Sequence, residues 1–204
     1  MSGEEIKSNV ENLQLYSDTI PHTLSLRIRT FESESDYKKF VKNVELLVRR
    51  SNEYKLWRNY VIEVLGMQNC VITNEGGGEV TVDLHHHIPS LFVVVKALVN
   101  KKIENAEEFC SFDIAKETIE LHFKNKIGYV ALIKSMHEKF HNGFLDIPIN
   151  SVKGDYKHFI EKYAGFLDEQ DVDTINLRLS KNNSNCNWSK DNYPIEDQLS
   201  AAGA

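Results

Sequence analysis

Two short stretches decide the fold: Asp83-Leu84-His85-His86-His87-Ile88-Pro89 and His137-Glu138-Lys139-Phe140-His141-Asn142-Gly143. Five of the chain's eight histidines lie in them. The first closes the alternation Val80-Thr81-Val82-Asp83-Leu84, apolar at every second residue, which predicts a β-strand. In the second, His137 and His141 stand four apart on a predicted helix, so both project from one face. A strand end offering one imidazole and a helix face offering two can converge on a single divalent cation. The spare histidine beside the strand ligand is then free for proton chemistry.

Upstream of the histidines, Asn69-Cys70-Val71-Ile72-Thr73 reads as a strand. The glycines of Asn74-Glu75-Gly76-Gly77-Gly78-Glu79 tolerate the positive φ of a tight turn, so Val80 to Leu84 is expected to return as its hairpin partner. Before that, Ser51-Asn52-Glu53 opens a helix carrying Tyr54, Trp57, Tyr60, Val61 and Val64 at helical spacing, with Gly66 near its end. Aromatics so spaced are expected in the core, and Arg58 sits on the flank of their stripe. An earlier helix, capped by Ser33 or Ser35, has Tyr37, Phe40, Val41, Val44, Leu47 and Val48 as its apolar stripe. Lys38, Lys39, Lys42, Arg49 and Arg50 lie largely off it, as a solvated face or a phosphate-contacting one. Thr23 to Phe31 alternates as a strand with Arg27 and Arg29 on its polar face.

Downstream, Ser90 to Lys102 and Asp113 to Lys126 read as helices. Gly128-Tyr129 breaks the second, and Val130 to Met136 leads into the His137 helix, which Asn142-Gly143 stops. Asp155 to Leu167 is a further helix, Thr174 to Leu179 a last strand, and the polar residues from Ser180 onward a mobile tail.

At 204 residues, 41% hydrophobic and 26% charged, the chain suits one compact domain with appendages. A formal net charge of -6 argues against a protein that coats polyanions indiscriminately, although local basic patches can still bind nucleic acid. The three cysteines, Cys70, Cys110 and Cys186, form no Cys-x-x-Cys pair, so neither a disulfide framework nor a cysteine zinc knuckle is expected. A reducing, intracellular setting fits. The N-terminus lacks the basic and apolar regions of a signal peptide, and the run Leu91 to Val95 is too short to span a bilayer, so no membrane association is expected.

Taken together, Trp57-Arg58, Cys70-Val71-Ile72-Thr73, Leu84-His85-His86-His87-Ile88-Pro89 and Leu132…His137-Glu138-Lys139-Phe140-His141-Asn142-Gly143 resemble an HNH endonuclease, the ββα-metal class, and especially its phage-encoded and homing-type members. The likeness covers about Tyr54 to Gly143. It implies an α+β fold with a ββα-metal core, helical flanks and an insertion. The layout would be an N-terminal strand-helix extension over 1–50, a nuclease domain over 51–167 and a largely flexible C-terminal extension over 168–204. By resemblance, His85, His137 and His141 hold one divalent ion (Zn, Mn, Ni, Co or Mg), His86 is the general base and Arg58 contacts phosphate. His87 is the second choice for the base, and His122 is a candidate to orient it.

The implied activity is hydrolysis of phosphodiester bonds in DNA, expected to be double-stranded, by an intracellular, phage-encoded protein. Arg27, Arg29, Lys38, Lys39, Lys42, Arg49 and Arg50 are the candidate DNA contacts. The sequence departs from the family where an asparagine is usual, near Gly128, and in the length of the insertion between Pro89 and Leu132. A second reading, from a different class, is a non-catalytic binding or virion-assembly protein that keeps this fold around a structural metal. A third is a histidine-rich sensor of metal.

Overall fold

A computed structural model describes residues 31–78 and 80–180. The expected strand over Thr23 to Phe31, with Arg27 and Arg29, lies outside them apart from Phe31. The described fold is α+β, with seven α-helices around a two-stranded antiparallel sheet.

Helix α1 (Glu34–Arg50) begins where the Ser33 hydroxyl accepts from Asp36 N–H, as its sequence predicts, and buries Phe40, Val41, Val44 and Val48. Ser51 then serves two helices. Its N–H bonds the carbonyls of Leu47 and Val48 at the end of α1, and its hydroxyl caps α2 (Asn52–Asn59) through Tyr54 N–H. Helix α2 continues as a π-helical turn, Tyr60–Val64, in which Leu65 N–H reaches the Tyr60 carbonyl at 3.1 Å. Tyr54, Trp57 and Val61 from this stretch enter the core.

Strand β1 (Val82–Ile88) carries the histidine triplet. Its partner is not the expected Asn69 to Thr73. Residues 69–78 instead fold into a compact turn, with Cys70 N–H on Glu75 O at 2.8 Å, Asn74 N–H on Cys70 O at 2.8 Å, and Asn74, Gly76, Gly77 and Gly78 all at positive φ. So many left-handed residues cannot extend into a ladder. The turn touches the sheet through Val71 N–H, on Ala131 O at 2.9 Å, and through the buried Cys70 side chain, which bonds the Ile133 backbone. The true partner is β2 (Gly128–Ile133), in the register Val82↔Ile133, Leu84↔Ala131, His85↔Val130 and His86↔Tyr129. The break expected at Gly128-Tyr129 is therefore the start of a strand. Gly128 is needed there because a Cβ would stand 2.5 Å from the Ile88 carbonyl oxygen.

Between the strands lie α3 (Leu91–Glu104), capped by Ser90, and α4 (Ser111–Phe123). Helix α3 is apolar on most of its circumference because it runs through the core, with Leu91, Val93, Val94, Val95, Ala97, Leu98 and Val99 buried. After β2 the chain turns directly into α5 (Lys134–His141), then α6 (Tyr156–Tyr163) and α7 (Glu169–Leu179).

Helix α7 replaces the strand expected over Thr174 to Leu179. Asp168 caps it by accepting from Asp171 N–H, and Asp171, Val172, Ile175 and Leu179 turn inward at helical spacing. Lys96 on α3 ties it down, bonding Asp168 and lying 2.9 Å from Asp171. At its other end the Arg178 guanidinium donates to the His87 carbonyl and lies 5.6 Å from the centre of the Phe140 ring. Helix α7 thus helps to cover one face of β1.

Candidate metal centre

Successive residues of a strand point to opposite faces, and β1 uses this to sort its three histidines. His85 and His87 face α5. His86 shares the opposite face with its cross-strand neighbour Tyr129, towards α2 and α4.

On the α5 face, His137 and His141 follow β2 by one and two helical turns and meet His85. His85 Nδ1 lies 2.9 Å from His137 Nε2, and His141 Nε2 lies 3.0 Å from the same atom. One ligand atom from each residue lies within 4.8 Å of the other two, so the three could hold a metal ion. A ring nitrogen has one in-plane site, a proton or a lone pair. His137 Nε2 therefore cannot make a full hydrogen bond to both neighbours at once, whereas a cation between the three nitrogens would satisfy all of them. Ligands on a tetrahedral zinc at ~2.0–2.1 Å stand about 3.3 Å apart, so the two close pairs at His137 would need to part by only a few tenths of an ångström. Three neutral imidazoles suit Zn²⁺, Co²⁺ or Ni²⁺ far better than Mg²⁺, which prefers oxygen.

Burial holds the His85 imidazole down at about 2 and lowers that of His137, with neighbouring histidines adding to both shifts. The neutral form is the one that ligates. Behind His137, Asp83 Oδ2 lies 3.9 Å from Nδ1, and the other carboxylate oxygen lies 3.7 Å from Arg58 Nη2. Arg58 also donates to the Val82 carbonyl at 3.0 Å. The arginine expected on phosphate is thus tied to the start of β1, beside the carboxylate behind His137.

The expected base and its alternate lie elsewhere. His86 sits near Tyr54 and Trp57, ring centres 6.0 Å from each, with its Nε2 2.9 Å from His122 Nε2. The protons in this pair follow from one fact. His122 Nδ1 lies 2.7 Å from the Thr118 carbonyl, which only accepts, so Nδ1 carries the proton and Nε2 the lone pair. His86 Nε2–H therefore donates to His122, and His86 Nδ1 is left as a buried lone pair with no partner. Burial pushes His86 well below the usual histidine range and His122 to about 4. On the far side of the sheet, His86 cannot activate water at a phosphate held by the cluster. His87 does share the His85 face, but both its ring nitrogens are buried without a partner beside Phe140. His122, expected to orient His86, does bond it, as half of a buried pair.

Of the basic residues expected to contact DNA, Lys38, Lys39, Lys42, Arg49 and Arg50 lie along α1, and Arg27 and Arg29 lie outside the described residues. Lys38 pairs with Glu34 at 2.6 Å and Arg49 with Glu45 at 2.8 Å, each one turn apart. Lys39, Lys42 and Arg50 are exposed. Among the described residues no helix is long and apolar enough to cross a membrane.

Sequence reasoning missed Asp83 as a supporting group. The signal was its place two residues before His85, on the same strand face.

A family model described as Bacteriophage G278-like virion protein matches residues 3–199, almost the whole chain. No curated protein and no solved structure matches. The match corrects the expected endonuclease: the phage origin holds, but the family is one of virion proteins and not of HNH nucleases.

Proposed function

The chain belongs to the Bacteriophage G278-like virion protein family, and on that premise we propose that it is a structural component of the phage particle whose fold is pinned by one transition-metal ion on His85, His137 and His141. The observation that carries the metal is the shared approach of two ring nitrogens to His137 Nε2, at 2.9 and 3.0 Å. The ion would join β1 to α5, a helix whose chain connection at Ile133 is to β2 and which meets β1 by side-chain packing. An assembly protein gains from such a tie, since it adds stability without enlarging the core.

The unit β1–β2–α5, with α3 and α4 inserted after β1, supports reading the α+β fold as a ββα-metal core. In this reading the core is kept for assembly. The position of His86 fits it, because a structural metal needs no base beside it.

Calorimetric titration of zinc into chelator-treated full-length protein tests the site. One equivalent should bind to the wild type, and none tightly to His137→Ala. Asp83→Asn should bind zinc about 10-fold more weakly, because a ligand histidine loses the carboxylate that raises its basicity. Unchanged affinity in His137→Ala would remove the site.

A further inference from the structure

Helix α2 and its π-turn are apolar on two faces. Tyr54, Trp57 and Val61 enter the core, while Leu56, Tyr60 and Val64, spaced four apart, form a second stripe that is half to two-thirds exposed. A helix apolar on both sides is normally buried on both. Phe123, at the end of α4, and Leu65 extend the stripe and are similarly exposed. Between the stripe and Phe123 runs a groove of about 600 Å³, floored by Trp57, His122 and Tyr129. Five of the large exposed apolar side chains thus gather on one face. The π-turn, a distortion that recurs at functional sites, presents that face.

We propose that two copies of the chain pair through this face about a twofold axis, α2 of one copy against α2 of the other. Two observations select a second copy. First, the face carries both a ridge (Leu56, Tyr60, Val64) and the groove beside it. A twofold contact needs such self-complementarity, because each copy must supply what the other receives. Second, these five side chains, each about half to two-thirds exposed, together expose surface on the order of 500 Å², the size at which a monomer's largest apolar patch is often an interaction site and over half of the ~800 Å² that each partner gives a stable interface. The face lies on the His86 side of the sheet, away from the metal cluster, so pairing is independent of metal.

Sedimentation of the full-length chain tests this. At about 100 µM the wild type should be a dimer, with or without chelator, since an interface of this size is populated there. Leu56→Lys with Val64→Lys should weaken association at least about 100-fold, because two central apolar contacts become charges. Both residues are exposed, so the variant's thermal melt should match that of the monomeric wild type. Phe144→Lys, exposed on the α5 side, should leave the dimer intact. A wild type that stays monomeric, or a dimer that survives the double lysine change, overturns the proposal. So does a monomer that associates only with a different virion protein or with an added apolar small molecule.

Discussion

The metal-free protein is expected to unfold between pH 6 and pH 5, well above the acid limit of an ordinary domain. His85, His86, His87 and His122 are 7%, 3%, 1% and 1% exposed, and burial lowers all four. The sign follows from linkage. In the unfolded chain each takes a proton near its ordinary value of about 6.5, while the folded chain refuses it until far lower, at about 4 for His122, 3 for His87 and 2 for His85. Stability is therefore complete above about pH 6.5 and is lost as the pH falls towards those values. Below pH 6.5 each histidine favours the unfolded chain by about tenfold per pH unit, so four histidines shift the equilibrium by about 10⁵-fold between pH 7 and pH 5. Domains of ordinary stability have folding constants of about 10³–10⁸, so most of that reserve is consumed. Far-ultraviolet circular dichroism of chelator-treated protein against pH measures this. Persistence of the fold to pH 4 would mean that the histidines find protons without unfolding.

Zinc should raise the melting temperature by roughly 10 °C at saturating excess. An ion that binds only the folded chain at about 1,000 times its dissociation constant adds about 4 kcal/mol, and a domain of this size shifts by about 2–4 °C per kcal/mol. The same ion should move the acid transition downward, because protons must then displace the metal from His85, His137 and His141. His137→Ala should abolish both effects while leaving the metal-free melt close to that of the wild type, since this side chain is part-exposed and its Nε2 is the centre on which the other two nitrogens converge. Melts with zinc, and with zinc plus chelator, measure this. An equal zinc shift in His137→Ala would place the metal elsewhere.

What could be read from the residues depended on how local the cause was. Helices α1, α2 and α3 begin at Ser33, Ser51 and Ser90, where a hydroxyl accepts from an N–H three residues on, and such caps are visible in sequence. Strand β2 was not visible. It is buried at all six positions, so Gly128 to Ile133 shows no alternation and looks like the approach to a helix. The glycines near residue 76 suggested a hairpin between neighbours, whereas β1 pairs across two inserted helices. Thr174-Ile175 suggested a strand by propensity, but the Asp168 cap and the inward spacing of Val172, Ile175 and Leu179 settle a helix. The three-histidine cluster was legible because spacing alone puts His137 and His141 on one face and strand alternation allows His85 to meet them. The role of the cluster was not legible. A cluster of histidines that could hold a metal is compatible with more than one function, and the family match over 3–199 carried the distinction.

The phage that encodes this chain offers the most direct test. Particles should be purified from an infected culture, washed with chelator, and analysed for this chain and its metal by quantitative mass spectrometry. The chain should be present in the particles, with about one transition-metal ion retained per copy, and particles assembled with His137→Ala should carry the chain without that ion. Finding the chain abundant in the lysate and absent from purified particles would contradict a structural role in the virion.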